Sequence, residues 1–404
     1  MASTLNLRDL IAVASAGACR FVLRRILRRG GTAIPGLIAD RMSPRLLGRA
    51  LRSLPQGYIA VSGSSGKSTT TRMLAALLRA HGLSVFTNSS TANLRQGVVT
   101  AVIDQAGPTG RLHADIGVIE LDEAVAPGVA VEVAPRLAVL TNISGEQLDR
   151  FHSPHRVAEM LRALAKRAGL VVAGRDDPLL RELTGHLSGV RWFGAGGDSA
   201  AGGRGTAVQR SDGRDAVLLR AGVEFPVRLP SRGDHYALDA AAALEAAAVI
   251  LGTRLDPATV ERTFDELTPV FGRGELRDVG GQPVEFVLVQ NPDSLRRNLA
   301  LLDPVPDQLM VAIGSDVRDT SWLWSVDTAA LRHVDVVTGS RAFEIGARLA
   351  YDGVELDLVT DDLEGALERF LALPQPASGV KTVVFSADAM RRIRRRLGHD
   401  RIAA

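Results

Sequence analysis

At 404 residues the chain is long enough for two or three domains. Apolar residues make up 46% and charged residues 23%, the balance of a globular protein, while aromatics at 4% leave the cores to Ala, Val and Leu. Lys plus Arg number 48 against 45 Asp plus Glu, and a net charge of +3 over this length does not call for a nucleic-acid partner.

Cys19 is the single cysteine, which excludes an internal disulfide and a thiolate-built zinc site. That usage fits a reducing, cytoplasmic setting. The apolar stretch Leu10 to Ala18 is too short to cross a bilayer. Its basic residues, Arg20, Arg24, Arg25, Arg28 and Arg29, follow the apolar run, the reverse of a signal peptide. Residues 1–54 read as two short helices with Leu10, Val13, Ala14, Phe21, Leu23 and Ile26 on one stripe. Such a helix packs on the main body or rests on the inner face of a membrane.

From Gly57 the pattern turns to strand, loop and helix. Tyr58–Val61 is a short apolar run, and Met73, Leu74, Leu77 and Leu78 recur at helical spacing. Further strand-like runs are Ser84–Phe86, Ile116–Leu121, Leu137–Leu140 and Leu170–Val172. Strands alternating with helices predict an α/β fold with a parallel, doubly wound sheet. Residues 187–230 predict a small antiparallel excursion around a glycine-rich loop, 194–205. Helices are predicted over His235–Leu251 and Pro257–Leu267, then a charged, glycine-rich linker over Gly272–Gly281. Alternation resumes with strands at Val284–Val289, Leu309–Ile313, Val334–Val337, Val354–Leu358 and Thr382–Phe385. Helices between them start at Asp293, Arg341 and Asp362, giving a second, smaller α/β domain. The expected division is 1–54, a helical segment; 55–270, a nucleotide-binding domain; and 280–404, a Rossmann-like C-terminal domain.

The segment Gly63-Ser64-Ser65-Gly66-Lys67-Ser68-Thr69 stands after a buried strand and at a helix start. Its glycines let backbone amides wrap a phosphate, and the helix N-terminus adds positive potential. Lys67 can reach the outer phosphates, and the Ser68 hydroxyl can hold Mg²⁺. The generic phosphate-loop pattern needs a glycine six residues before the lysine, where Val61 stands, so only the shorter Gly-x-x-Gly-Lys-Ser form is present. Glu120 closes the apolar run Ile116–Glu120. A carboxylate at that edge is a candidate Mg²⁺ ligand beside such a loop.

The loop and its flanking text resemble the Mur ligase family, and within it the MurT branch. The segments that carry the likeness are Gly31–Gly36, Thr87–Leu94, Glu120-Leu-Asp-Glu123, Leu140-Thr-Asn142-Ile, Glu146–Arg150 and Asp176-Asp177-Pro178. Later come Pro269–Arg273, Asn291-Pro292, Asp316-Val-Arg-Asp319-Thr-Ser-Trp322-Leu-Trp324 and Gly339–Ala342. The likeness covers nearly the whole chain and is weakest over 187–235. About 55 residues precede the loop, fewer than the nucleotide-sugar-binding domain of ordinary Mur ligases needs. The MurT branch, acting on a lipid-linked precursor, dispenses with that domain.

The resemblance implies an ATP- and Mg²⁺-dependent carbon–nitrogen ligase. Its acceptor is the α-carboxylate of D-glutamate in the lipid II stem peptide, activated as an acyl phosphate. Its ammonia comes from a separate glutaminase subunit of the GatD type. Gly63, Ser64, Ser65, Gly66, Lys67, Ser68, Thr69 and Asn142 are then ATP contacts, with Arg273 joining as domains close. Glu120 and Ser68 become the metal ligands. An aspartate of the last domain, Asp316 slightly ahead of Asp319, is expected to complete the partner's glutaminase site, with Trp322 and Trp324 beside it as interface anchors. MurT proteins usually carry a four-cysteine zinc ribbon; no cysteine follows Cys19 here, so no zinc is expected. His235-Tyr236 and Asp239 replace the family's His-Asn pair. These departures leave two alternatives open: a diverged ligase acting on another carboxylate, and a non-catalytic nucleotide-binding subunit.

Overall fold

The computed structural model describes residues 7–25, 34–88, 92–106, 111–143, 153–196, 205–268, 272–289, 291–302 and 305–398. They form two compact units, Met1–Leu229 with Gly233–Leu267, and Pro230–Arg232 with Thr268–Ala404.

Among the described residues the first unit begins with three helices where two were expected: α1 (Leu7–Arg25), α2 (Ile34–Met42) and α3 (Leu46–Arg52). Arg45 and Ser53 bracket α3 as a separate turn of helix. Ala12, Val13 and Ala16 of α1 are buried, while Leu10, Ile11 and Phe21 are exposed. The sheet carries β1 (Tyr58–Ser62), β2 (Val85–Thr87), β3 (Ile116–Glu120), β4 (Leu137–Leu140), β5 (Leu170–Gly174) and β6 (Arg191–Ala195). β7 (Gly205–Asp212), β8 (Asp215–Arg220) and β9 (Val223–Arg228) complete it. Strand order is β2-β3-β1-β4-β5-β6-β7-β8-β9. The strands from β2 to β7 are parallel, and β8 and β9 are antiparallel.

The antiparallel strands expected within 187–230 are β7, β8 and β9. β6 pairs with β5 and β7 with β6, so the antiparallel hairpins extend the main sheet. Of the glycine-rich loop, 197–204 lie outside the described residues.

Both faces of this sheet are covered, which is why its inner strands read as unbroken apolar runs. β1, β3 and β4 are buried at every position. One face packs on α4 (Lys67–Ala80) and the alanine-rich α9 (Asp234–Leu251). The other carries α5 (Arg95–Gln105), α6 (Ala126–Glu132), α7 (Pro154–Ala165) and α8 (Pro178–Thr184). The Ala side chains of α9 let its backbone approach the sheet closely. That helix has the length and apolarity of a membrane span, yet most of it is buried in this core. α10 (Pro257–Glu266) closes the unit.

In the second unit the expected glycine-rich linker is the first strand and the turn of a β-hairpin, whose second strand is the one expected at Val284–Val289. β10 (Arg273–Val279) pairs antiparallel with β11 (Gln282–Leu288). Gly280 and Gly281 turn it with φ of +64° and +84°, a turn with two left-handed residues that favours glycine. The remaining elements are α11 (Pro292–Leu301), β12 (Leu309–Ala312), β13 (His333–Thr338), α12 (Ala342–Tyr351), β14 (Glu355–Thr360), α13 (Leu363–Ala372), β15 (Lys381–Phe385) and α14 (Ala387–Arg396). Strand order is β10-β11-β15-β12-β13-β14, parallel from β11 onward. Buried Lys381 donates to the carbonyls of Leu371 (2.7 Å) and Leu373 (2.5 Å), satisfying the end of α13.

His333 and Asp335 of β13 and Asp357 of β14 bring their ligand atoms within 4.8 Å of one another. His333 Nε2 lies 3.1 Å from Asp357 Oδ1. The hydrogen bond to Asp357, with the nearby charges of Asp335 and Glu355, raises the imidazole above its usual 6.5. A raised histidine contributes stability below the unfolded-state value and loses it as pH rises through the folded-state value. The wild type should therefore exceed His333→Gln in thermal stability at about pH 6, with the gap closing above about pH 8. A gap independent of pH, measured by thermal unfolding, would refute the charged pairing.

Candidate nucleotide-binding site

β1 lies between β3 and β4, and all three run in the same direction. Their carboxyl ends finish level: Val61 is opposite Glu120, and Ser62 is opposite Leu140. The chain builds on one side of β1 through β2 and β3, then crosses to the other with β4. Such a switch point opens a crevice at the carboxyl edge, where ligands bind in open α/β sheets.

The loop after β1 fills that crevice. Gly63 adopts φ +134°, and a Cβ there would meet Thr141 Oγ1 at 2.2 Å. Gly66 adopts φ +81°, and a Cβ there would meet Asp239 Oδ1 at 2.1 Å. Both positions therefore need glycine for conformation and for space. Asn142 pins the turn between them. Its Oδ1 accepts from the Ser65 amide at 2.9 Å, and its Nδ2 donates to the Ser65 carbonyl at 3.2 Å. The Ser64 amide donates to the Asn142 carbonyl at 2.9 Å. Asn142 thus shapes the loop, a role beyond the ligand contact expected of it. Lys67 opens α4, with Ser68 and Thr69 in its first turn.

Lys67 is nearly enclosed, with 10% of its side chain exposed. Its ammonium donates to the carbonyls of Gly63 and Ser64 and, at 2.9 Å, to Oε1 of Glu123. Glu120 is buried at the end of β3. Asn88 holds it in place: Oδ1 accepts from the Glu120 amide at 2.9 Å, and Nδ2 donates to the Glu120 carbonyl at 2.9 Å and to Ala92. Ser62 Oγ donates to the Leu121 carbonyl at 2.9 Å, locking β1 to the chain leaving β3.

Ser64, Ser65, Lys67, Glu120 and Asn142 thus meet at one edge. Three residues given no role from the sequence join them. Asn88 and Glu123 lay inside motifs quoted whole, where nothing local marks which member points inward. Asp239, noted only as a departure, lies against Gly66 and accepts from Thr70 Oγ1 at 3.4 Å. Asp177 of the Asp-Asp-Pro motif is a cap: it accepts from the amides of Leu179 and Leu180 and, at 2.5 Å, from that of Ile143. Glu146–Arg150 lie outside the described residues, as does the side chain of Arg273, whose backbone begins β10.

A second carboxyl edge, in the second unit, holds Asp316 and Asp319. β15 lies beside β12, and both end here. Asp316 Oδ1 accepts from Ser386 Oγ at 2.6 Å and from the Asp388 amide at 3.0 Å; Oδ2 accepts from the Ala387 amide at 3.0 Å. Both of its oxygens therefore serve the start of α14. Asp319 is exposed and accepts from the Ser321 amide at 2.9 Å. Hydrogen bonding from Ser321 holds its carboxyl below the usual range, so it is ionised at neutral pH. Nearby, Trp322 is partly buried against the core, whereas Trp324 is half exposed, edge-on to Tyr351 and beneath the Arg348 guanidinium.

Residues 61–247 match the Mur ligase middle domain, and residues 288–385 match the MurT ligase C-terminal domain. The MurT subunit of the glutamine-hydrolysing lipid II isoglutaminyl synthase of Streptococcus pneumoniae is 26% identical over 413 residues, covering 88% of this chain and 90% of that protein. The corresponding subunit of Staphylococcus aureus is 24% identical over 401 residues, with the same coverage. MurF ligase of Thermotoga maritima, solved with ADP, superposes with a TM-score of 0.68 at 21% identity, over 89% of this chain and 83% of that one. Folylpolyglutamate synthase of Mycobacterium tuberculosis, solved with ADP and AMPPCP, gives 0.65 at 19% identity, over 98% and 99%. Two domain matches in sequence order, and relatives aligned over most of both chains, reach the conclusion that the phosphate-loop geometry suggests: the chain belongs to the Mur ligase family and carries a MurT-type C-terminal domain.

Proposed function

We propose that this chain is the ATP-using subunit of a lipid II amidating enzyme, converting the α-carboxylate of D-glutamate in the stem peptide to the amide. The observation that carries the reading is the pinned glycine loop holding Lys67 beside buried carboxylates at a switch-point edge. The positive φ of Gly63 and Gly66 allows the backbone turn whose amides a phosphate chain needs.

The chemistry divides into two steps. A carboxylate oxygen of the acceptor attacks the γ-phosphorus, and the β–γ bridging bond breaks to release ADP. Ammonia then attacks the acyl carbon, phosphate leaves with the bonding electron pair, and the nitrogen loses a proton. The first step brings two anions together, so the site must offset their charge. Lys67 and the loop amides do this from the protein side. Ser68 and Glu120 are the oxygen donors that would hold Mg²⁺, which when bound would offset the negative charge of the reacting groups.

Ammonia has to come from elsewhere. The sole cysteine, Cys19, sits in α1, and no Cys-His glutaminase constellation can be read around it in the sequence. A GatD-type glutaminase subunit fits that need. Asp319 is the better placed of the two aspartates to orient a partner's histidine, because the oxygens of Asp316 are committed to α14. The acceptor places the chain at the inner face of the membrane, and the arginines of 20–29, whose side chains lie outside the described residues, are the proposed contact.

Three outcomes are expected. Lys67→Ala should lower amide formation from lipid II, ATP, Mg²⁺ and ammonia at least ~100-fold while circular dichroism shows a retained fold. A wild type that yields no lipid II amide in this assay would refute the acceptor assignment. With the glutaminase present, Asp319→Asn should abolish glutamine-driven amidation and spare ammonia-driven amidation. Asp316→Asn should instead cost about 1 kcal/mol of stability as a lost cap. Loss of both activities in Asp319→Asn would place that residue in the ligase site.

A further inference from the structure

Glu123 has no part in the chemistry above, yet its side chain is fully buried. An ionised carboxylate so enclosed needs partners, because leaving it bare is far costlier than leaving it paired. Among the described residues only one of its oxygens has one: Oε1 accepts from Lys67, while Oε2 is buried without a hydrogen-bond partner. An ammonium has three donors, and those of Lys67 go to Gly63, Ser64 and Glu123.

A phosphate oxygen can therefore reach the lysine only by taking the place of one acceptor. The two carbonyls belong to the loop itself. Gly63 is wedged against Thr141 and Asn142, and the Ser64 amide is tied to the Asn142 carbonyl, so neither carbonyl can withdraw without dismantling the cradle. Glu123 stands on a different segment, the turn after β3, and holds the lysine through one oxygen.

We propose that Glu123 is the resting counter-ion of Lys67: it occupies the lysine valence that a nucleotide phosphate takes, so the ion pair and phosphate binding compete. Resting on the ATP-loop reading, this makes Glu123 a positioning residue with two effects. It keeps the lysine folded over the loop, and it sets a threshold that favours ligands bearing several phosphate charges, nucleoside di- and triphosphates, over singly charged anions.

The test uses the full chain, Mg²⁺ and a fluorescent ADP analogue. Glu123→Gln keeps the volume and an acceptor but removes the charge, and should tighten ADP binding about tenfold. A role in packing alone would leave affinity unchanged or weaken it, and either result overturns the proposal. In a Lys67→Met background the Glu123→Gln effect should fall within about twofold. A persisting effect would mean that Glu123 repels phosphate directly, and would also overturn it. Thermal unfolding gives a second readout without ligand. Lys67→Met leaves a lone buried carboxylate, so the double variant should be the more stable of the two. A double variant no more stable than Lys67→Met would refute the pair. Failure of the wild type to bind ADP at all would instead bring down the ATP-loop reading, and this proposal with it.

Discussion

Everything at the nucleotide-binding edge depends on the parallel register of three neighbouring strands. The Ser65–Asn142 clamp joins residues 77 apart in sequence, and only the alignment of Ser62 with Leu140 brings them together. The alignment of Val61 with Glu120 does the same for the acidic turn. A slip of one residue would turn every side chain of a strand to the opposite face. β1, β3 and β4 are buried on both faces, so apolar packing resists that slip. The polar site thus inherits its geometry from a core that contains none of its residues.

The loop at this edge is also shaped by segments outside it. Glycines 63 and 66 sit where the nearest atoms belong to Thr141 and Asp239, and Asn142 satisfies the turn's own amide and carbonyl. Polar satisfaction comes from segments on both sides of β1, so no part of the cradle relies on the loop's own stiffness. Asn88 plays the corresponding part on the acidic side, fixing the backbone of Glu120 from both its amide and its carbonyl.

Contiguous signals were legible in the sequence. The Gly-x-x-Gly-Lys-Ser run after an apolar strand announces the loop because all its parts are local. The doubly wound class followed from alternating apolar runs. Features that depend on distant pairing were not legible. Asp239 reaches the loop from α9, 173 residues after Gly66 (239 − 66), and no local pattern links the two. β11 was legible as the apolar run Val284–Val289, whereas β10 read as a linker because Arg273, Glu275, Arg277 and Asp278 leave it few apolar positions and Gly280-Gly281 follows it. That the antiparallel strands after Gly205 continue the main sheet was not legible, because nothing in one strand's composition names its neighbour. Asp316 and Asp319 look alike on paper; hydrogen bonding separates them, one spent on a helix and the other facing solvent.

The strand order of the second unit also bears on how the chain is made. Its middle strand, β15, comes last, inserted between β11 and β12, which have no hydrogen bonds to each other in the sheet order. Until Lys381–Phe385 has left the ribosome, β11 and β12 each expose an unpaired edge. The first unit draws all its strands from residues before 229 and can fold while synthesis continues. The second unit must wait for Phe385, and its longest-range pairings close last. A nascent chain stalled before residue 381 would therefore present a finished nucleotide-binding unit tethered to an open, aggregation-prone half-sheet.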